Sequence, residues 1–211
     1  MCAAWWDEED RAEVTVHPAG PSQFGVDGAE RACTSIDLAL LVWLGRKWAG
    51  ESMRDLPWLP IVRAGARWFS CAKGSQVAAK VYASSAAMRR ALEFKEEMTG
   101  DMRYAENERM RQRTEAGDGY VPTMRDAVGR CVAPMGGGVF TGNGASVLLF
   151  FDRETRPWIY DSHGGGGAGT AALFECASLE AAAQKLEDLM RYEHYTVFVA
   201  APKGAESTED G

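Results

Sequence analysis

The chain has 211 residues, 46% of them hydrophobic, which is enough to bury one substantial core, and we interpret it as one domain. Its 23 Lys and Arg residues and 30 Asp and Glu residues give a net charge of -7. This acidic balance argues against a nucleic-acid surface, which needs a clustered basic face, and suits a basic protein partner. No segment approaches the roughly 20 apolar residues that span a membrane. We therefore expect neither nucleic acid nor a membrane as a partner.

The cysteines indicate neither a disulfide framework nor a metal site. They are five in number and widely spaced, and no two form the C-x-x-C pair of zinc and redox sites. The glycine runs at 136–138 and 164–167 do not lead into a Lys-Ser/Thr helix start, which argues against a phosphate-binding loop. The N-terminus lacks the basic start and apolar stretch of a signal peptide. We therefore expect no metal, no cofactor and a reducing compartment.

The first third of the chain changes from loops to helices at Cys33. Residues 1–32 are rich in glycine and proline around one alternating stretch, 13–16, which predicts an edge strand. From Cys33 onward apolar residues recur every four positions, and this spacing predicts a buried amphipathic helix that ends at Gly50. Two prolines, Pro57 and Pro60, then break the chain, and a second helix is predicted from Ile61 to Cys71.

The middle of the chain predicts a helical insertion. Residues 84–115 contain no proline and one glycine, are dense in Arg, Glu, Ala and Met, and carry apolar residues at helical spacing. We interpret this segment as one or two solvated helices. Thr123 has the position of a helix cap, so a short helix is expected after it, ended by the glycines at 136–138.

The last third of the chain predicts mainly strands. The predicted strands are 139–141, 146–151, 158–163, 173–176 and 195–200. Tight turns join the first three strands into an antiparallel meander. A helix is predicted over 178–192, and the polar tail 202–211 is expected to be disordered. Because most predicted helices precede the predicted strands along the chain, we expect an α+β domain over residues 1–201.

Asp161 and His163 lie two residues apart at the end of a predicted strand. Alternation along a strand sends both side chains to one face and Ser162 to the other, so the carboxylate can orient the imidazole. Polar strand ends beside glycines also commonly just cap a sheet, and the pair by itself leaves that alternative open. His17, which precedes a proline, is expected to be a surface or loop histidine.

Cys33 is the cysteine best placed to act as a nucleophile. At a helix start, free N–H groups and partial positive charge stabilise a thiolate, and a neighbouring imidazolium lowers the thiol pKa further. Gln23 lies upstream and can present its amide N–H to a developing oxyanion, beside the backbone N–H of Cys33. These residues predict a cysteine hydrolase of the papain-like kind, with His163 as base and Asp161 orienting it.

Several stretches of the chain together resemble a known family. They are Ser22-Gln23-Phe24-Gly25, Ala32-Cys33-Thr34-Ser35, Leu148-Leu149-Phe150-Phe151, Trp158-Ile159-Tyr160-Asp161-Ser162-His163-Gly164 and Thr196-Val197-Phe198-Val199. In this order they resemble the deubiquitinating domain at the N-terminus of the herpesvirus large tegument protein and the related tegument-like deubiquitinases outside herpesviruses. Segment 84–115 has no counterpart in the resemblance, and the four glycines after His163 are more than it leads us to expect.

The resemblance implies a papain-like cysteine protease fold, with helices packed on a mainly antiparallel sheet. It implies a deubiquitinase that hydrolyses the (iso)peptide bond after the C-terminal glycine of ubiquitin, and so ubiquitin or a ubiquitin-like protein as partner. Its site residues would be Cys33 as nucleophile, His163 and Asp161 as the rest of the triad, and Gln23 in the oxyanion hole. The expected location is cytoplasmic, in the host cytoplasm or virion tegument for a viral source, with a secreted effector as the alternative.

Two further functions stay open at the level of sequence. A papain-like hydrolase, deamidase or acyltransferase could carry the same residues and act on another amide or a ubiquitin-like modifier, because a triad does not encode its substrate. A binding module could keep the fold and lack turnover, although the presence of all four candidate residues speaks against it.

Overall fold

The computed structural model describes residues 13–47, 52–74, 102–107, 124–132, 137–142, 145–152, 154–167, 169–190 and 196–202. Their strands are β1 (Val14–Pro21), β2 (Met102–Asn107), β3 (Gly137–Gly142), β4 (Ala145–Phe151), β5 (Pro157–Asp161), β6 (Thr170–Cys176) and β7 (Thr196–Pro202). They form one seven-stranded sheet in the order β1-β6-β5-β4-β3-β7-β2, and every neighbouring pair is antiparallel.

Helices cover both faces of this sheet. They are α1 (Cys33–Lys47), α2 (Trp58–Gly74), α3 (Met124–Asp126), which continues as a π-helix over Ala127–Val132, and α4 (Leu179–Met190). Short 3₁₀ turns lie at Gln23–Gly25 and Met53–Asp55. Among the described residues, none of these helices is long and apolar enough to cross a membrane.

The central strand β4 shows how the two cores arise. Leu148 and Phe150 pack with α1 and α2 on one face, whereas Val147 and Leu149 pack with α3 and α4 on the other. Because successive side chains of a strand point to opposite faces, a strand covered on both sides needs apolar residues at nearly every position. The continuous apolar run of β4 is therefore a consequence of its place in the middle layer.

Most predicted elements are present with shifted ends. The edge strand is β1, and the helix predicted from Cys33 is α1, whose predicted end at Gly50 lies outside the described residues. The second helix begins at Trp58, so the expectation that Pro60 breaks the chain is wrong. Proline is tolerated there because backbone N–H groups in the first turn have no acceptor within the helix.

The helical prediction for 84–115 is wrong where the structure describes that segment. Residues Met102–Asn107 form strand β2, which pairs with β7 at the edge of the sheet. The free backbone N–H and C=O groups along β7 give this segment hydrogen-bond partners as a strand. Methionines at helical spacing give it no packing partner as a helix, so the strand is favoured. The other residues of the segment lie outside the described residues.

Two further boundaries differ from the prediction. Pro202, predicted as the start of the tail, is the last residue of β7, and residues 203–211 lie outside the described ranges. Gly137 and Gly138, expected to end a helix, belong to β3 instead. A Cβ at Gly137 would lie 2.6 Å from Leu41 Cδ1, so glycine here lets α1 approach the sheet closely.

Candidate active site

Cys33 is the first residue of α1 and is 4% exposed. The side chains of His163 and Ser146 and the backbone N–H of Thr34 lie close enough to its thiol to lower the thiol pKa. The sulfur therefore lies where the partial positive charge of the helix N-terminus is strongest. These contacts are the ones that a thiolate needs.

Asp161 and His163 form a hydrogen-bonded pair, although not by the geometry predicted from the sequence. Strand β5 ends at Asp161, and His163 lies in the turn that follows, so strand alternation does not place the two side chains. The turn folds back, and Asp161 Oδ1 accepts hydrogen bonds from His163 Nδ1 at 2.7 Å and from its backbone N–H at 2.9 Å. With Nδ1 occupied, the other ring nitrogen of His163 is left to face Cys33.

The electrostatics of the pair favour a thiolate and an imidazolium. Burial by itself lowers the pKa of His163, but its hydrogen bonds to Asp161 and Cys33 prevail and raise the pKa to about 10. Burial likewise raises the pKa of the Cys33 thiol, and the hydrogen bonds from His163 and Ser146 more than reverse that effect, so the thiol pKa is lowered. At neutral pH this arrangement can hold a nucleophile that is already deprotonated.

Gln23 is anchored to the loop that carries His163. The backbone N–H of Gln23 donates to the Ser162 carbonyl at 2.8 Å, and that of Ser22 donates to the Gly169 carbonyl at 3.0 Å. The Ser162 hydroxyl also donates to Gln23 Oε1 at 3.2 Å. This last contact sets which end of the amide is the acceptor, so Nε2 remains the donor, at present bonded to the Glu30 carbonyl at 3.3 Å.

Ser162 is a residue of the candidate site that the sequence did not indicate. Alternation assigned it to the face away from the site, yet it is fully buried and holds the Gln23 amide. Ser146 and Asp37 were missed as well: both are buried beside Cys33, and they are hydrogen-bonded to each other at 2.8 Å. A carboxylate four residues after Cys33, on a helix face that is otherwise apolar, is the one sequence signal that could have indicated Asp37.

The approach to the site combines an exposed aromatic ring with glycines. Phe24 is 61% exposed, and its ring centroid lies 6.2 Å from that of His163. Gly164, Gly165 and Gly167 have φ angles of 142°, 106° and 119°, a region that favours glycine. The run of glycines after His163 is therefore explained by the backbone path of this loop.

His17 lies outside this site, and its predicted surface position is wrong. It is 8% exposed, and Nε2 is 3.1 Å from Glu175 Oε2. Two arginines, Arg54 and Arg156, also contact Glu175, so this cluster joins β1 and β6 to neighbouring segments. In the described part of the chain, no group of three or more His, Cys, Asp or Glu residues is arranged to hold a metal ion.

The architecture matches that of a solved viral enzyme. The ubiquitin-specific protease encoded by the murine cytomegalovirus tegument protein M48, solved in complex with a ubiquitin-based suicide substrate, superposes with a TM-score of 0.62 at 14% sequence identity. The match covers 93% of this chain and 90% of the viral one. The chain therefore has the fold of a papain-like viral protease. No family model and no curated protein matches the sequence.

This likeness confirms the predicted fold class, helices packed on an antiparallel sheet of papain-like type. At 14% sequence identity the likeness supports a shared fold, and it does not extend to residue roles or substrate. The roles assigned to Cys33, His163, Asp161 and Gln23 stay predictions, which the geometry described above makes specific enough to test.

Proposed function

We propose that the chain is a cysteine-type deubiquitinating peptidase that hydrolyses the (iso)peptide bond after the C-terminal glycine of ubiquitin. The observation that carries this proposal is the preassembled set of Cys33, His163 and Asp161, in which a buried thiol at a helix start meets an imidazole oriented by a carboxylate 2.7 Å away. The fold shared with a ubiquitin-specific protease supports ubiquitin as the substrate.

The proposed reaction begins with the thiolate of Cys33, which attacks the carbonyl carbon of the substrate glycine. The carbonyl oxygen becomes an oxyanion and accepts hydrogen bonds from Gln23 Nε2 and the backbone N–H of Cys33. The imidazolium of His163 protonates the leaving amine as the carbon–nitrogen bond breaks, which leaves a thioester on Cys33. His163 then takes a proton from water as it attacks, and the thiolate departs. Throughout the cycle Asp161 accepts from Nδ1 and keeps the ring oriented.

The surroundings of the site suit a substrate tail without side chains. A tail that ends in two glycines has no side chains to clash with the exposed ring of Phe24 or with the loop of glycines after His163. The net charge of -7 is complementary to the basic surface around the ubiquitin tail, which favours encounter of the two proteins.

Ubiquitin that carries a C-terminal electrophile is expected to form a covalent adduct with this protein, one ubiquitin per chain, and Cys33→Ala is expected to abolish the adduct. Intact mass spectrometry measures both. The matched control is Cys176→Ala, because Cys176 is fully buried in β6 and burial raises its thiol pKa to about 12, so it should not react. This control variant is expected to form the adduct like the native chain.

The same probe separates the alternatives when it is run over a panel of ubiquitin-like modifiers. An adduct with another modifier and none with ubiquitin would show that the other modifier is the substrate. Rapid alkylation of Cys33 by chloroacetamide with no adduct on any modifier would refute the deubiquitinase and leave a hydrolase, deamidase or acyltransferase of another amide. Absence of both reactions would leave a binding module.

Gln23→Ala is expected to lower kcat for a fluorogenic ubiquitin C-terminal amide by about 10²–10³-fold, the usual effect of removing one oxyanion donor. Alkylation of Cys33 by chloroacetamide should change little, because the amide acts on the tetrahedral adduct and not on the thiolate. Steady-state kinetics and alkylation rates, measured side by side, check this. Equal losses in both reactions would show that Gln23 shapes the thiol environment, which contradicts the proposed role.

A further inference from the structure

A buried polar pair lies beside Cys33 and takes no part in the reaction described above. Asp37 follows Cys33 by four residues on α1, which is about one helical turn, and is fully buried. Ser146 lies in β4, is also fully buried, and its Oγ is 2.8 Å from Asp37 Oδ2. Ser146 also lies close enough to the Cys33 side chain to lower the thiol pKa. Its hydroxyl therefore lies near both the carboxyl group and the sulfur of Cys33.

The surroundings of Asp37 disfavour a negative charge. Among the described residues Asp37 forms no ion pair, its Oδ1 is buried without a hydrogen-bond partner, and Ser146 is its only side-chain partner. The nearby hydroxyl of Tyr160 is likewise buried and unpartnered. A carboxylate removed from water with one hydrogen bond strongly favours its neutral form. Burial, and after it the charge of Cys33, raise the pKa of Asp37 well above its ordinary value.

The protonation of Asp37 decides what Ser146 can offer to Cys33. A serine hydroxyl has one hydrogen to donate. If Asp37 were ionised, Ser146 would have to donate that hydrogen to the carboxylate and could turn only a lone pair toward the thiolate. If Asp37 is protonated, its O–H can donate to Ser146 Oγ, and the serine hydrogen is free to point at the sulfur.

We propose that Asp37 stays protonated throughout the cycle and that, as a positioning residue, it orients the Ser146 hydroxyl as a second donor to the Cys33 thiolate beside His163. No proton is gained or lost by this pair. The same donor would stabilise the thiolate again when it leaves the thioester. The inference rests on the proposed function only in taking Cys33 as the nucleophile, and not in the identity of the substrate.

The test measures the pH dependence of Cys33 alkylation by chloroacetamide, with the Cys33→Ala protein as background for the other cysteines. Ser146→Ala is expected to raise the thiol pKa by about one unit, which shifts the alkylation profile to higher pH and lowers the rate about tenfold at pH values below the native thiol pKa. Asp37→Asn is expected to keep the native profile, because its amide N–H donates to Ser146 as the protonated acid does. Asp37→Leu, which has a similar size and no donor, is expected to behave like Ser146→Ala.

Two outcomes would overturn the proposal: a native alkylation profile in Ser146→Ala, or a raised thiol pKa in Asp37→Asn. If Ser146→Ala does not fold, carbon-13 NMR of the aspartate carboxyl groups decides the matter on the native chain. The Asp37 signal, assigned by its loss in Asp37→Asn, is expected at the position of a protonated acid at neutral pH, and an ionised signal refutes the proposal. Because neither readout uses ubiquitin, a failure of the deubiquitinase proposal leaves this result interpretable.

Discussion

Replacement of His163 by alanine is expected to lower kcat/KM for a ubiquitin C-terminal amide by about 10⁴-fold, as loss of a triad member does in related chemistry. The variant loses the acid that protonates the leaving amine and the base that activates water. It also loses the hydrogen bond that most lowers the Cys33 pKa, so burial then dominates and raises that pKa. Steady-state hydrolysis and the pH profile of alkylation measure the two effects separately.

The matched control for His163→Ala is His17→Gln. His17 is buried and, like His163, pairs with a carboxylate, in this case Glu175. It lies outside the site, and glutamine keeps a donor for Glu175. This control is expected to retain native kcat/KM. A His163→Ala protein with native activity, or equal losses in both variants, would contradict the assignment of His163.

The pKa of His163 also sets an upper limit in pH. Its value is raised from 6.5 to about 10 in the folded chain, so the imidazolium is stabilised by folding. That contribution to stability is fully present below pH 6.5 and is lost as the pH rises through about 10. As the pH rises through about 10, His163 also loses the proton that it donates to the leaving amine, so kcat/KM is expected to fall there.

Gly65→Ala is expected to lower the free energy of unfolding by about 1–3 kcal/mol or more, the range for overpacking a filled core. A Cβ at Gly65 of α2 would lie 2.5 Å from Ile36 Cα and 2.7 Å from Ile36 N on α1. These are backbone atoms, so no side-chain rotation relieves the contact, and the helices must move apart. Urea denaturation measures the loss.

The control for this change is Gly129→Ala, since a Cβ at Gly129 meets no atom within 4 Å. It is expected to leave stability unchanged or to raise it slightly, because alanine favours helical backbone. Ile36 is three residues from Cys33, so Gly65→Ala should also slow alkylation of Cys33 at neutral pH. Equal stability of the two variants would show that α1 and α2 do not pack this closely.

Local pattern was enough to predict the elements whose apolar spacing agrees with their final packing. The four-residue repeat after Cys33 predicts α1, and the meander from residue 139 predicts β3, β4 and β5, because each period follows from the geometry of one chain segment. Strand β2 could not be predicted in this way. Its formation depends on the edge of β7, which lies about 90 residues later in the sequence, and no local period records that partner.

In the candidate site, too, the sequence indicates the chemical groups, and the folded chain sets their arrangement. The sequence by itself predicted the four candidate groups, Cys33, His163, Asp161 and Gln23, because thiol, imidazole, carboxylate and amide are properties of residue type. Only the tertiary structure decided how they are held. Asp161 reaches His163 through a turn, and Ser162 sets the Gln23 amide through a contact across 139 positions of sequence.

The pair of Asp37 and Ser146 depends on tertiary structure most of all. The two residues are 109 positions apart and meet only because α1 packs on β4. Neither residue type indicates a role without the burial that keeps water away and shifts the carboxyl group toward its neutral form. Residue type determined which chemical groups are present here, and packing decided their contacts and the direction of their pKa shifts, because burial and distance exist only in the folded chain.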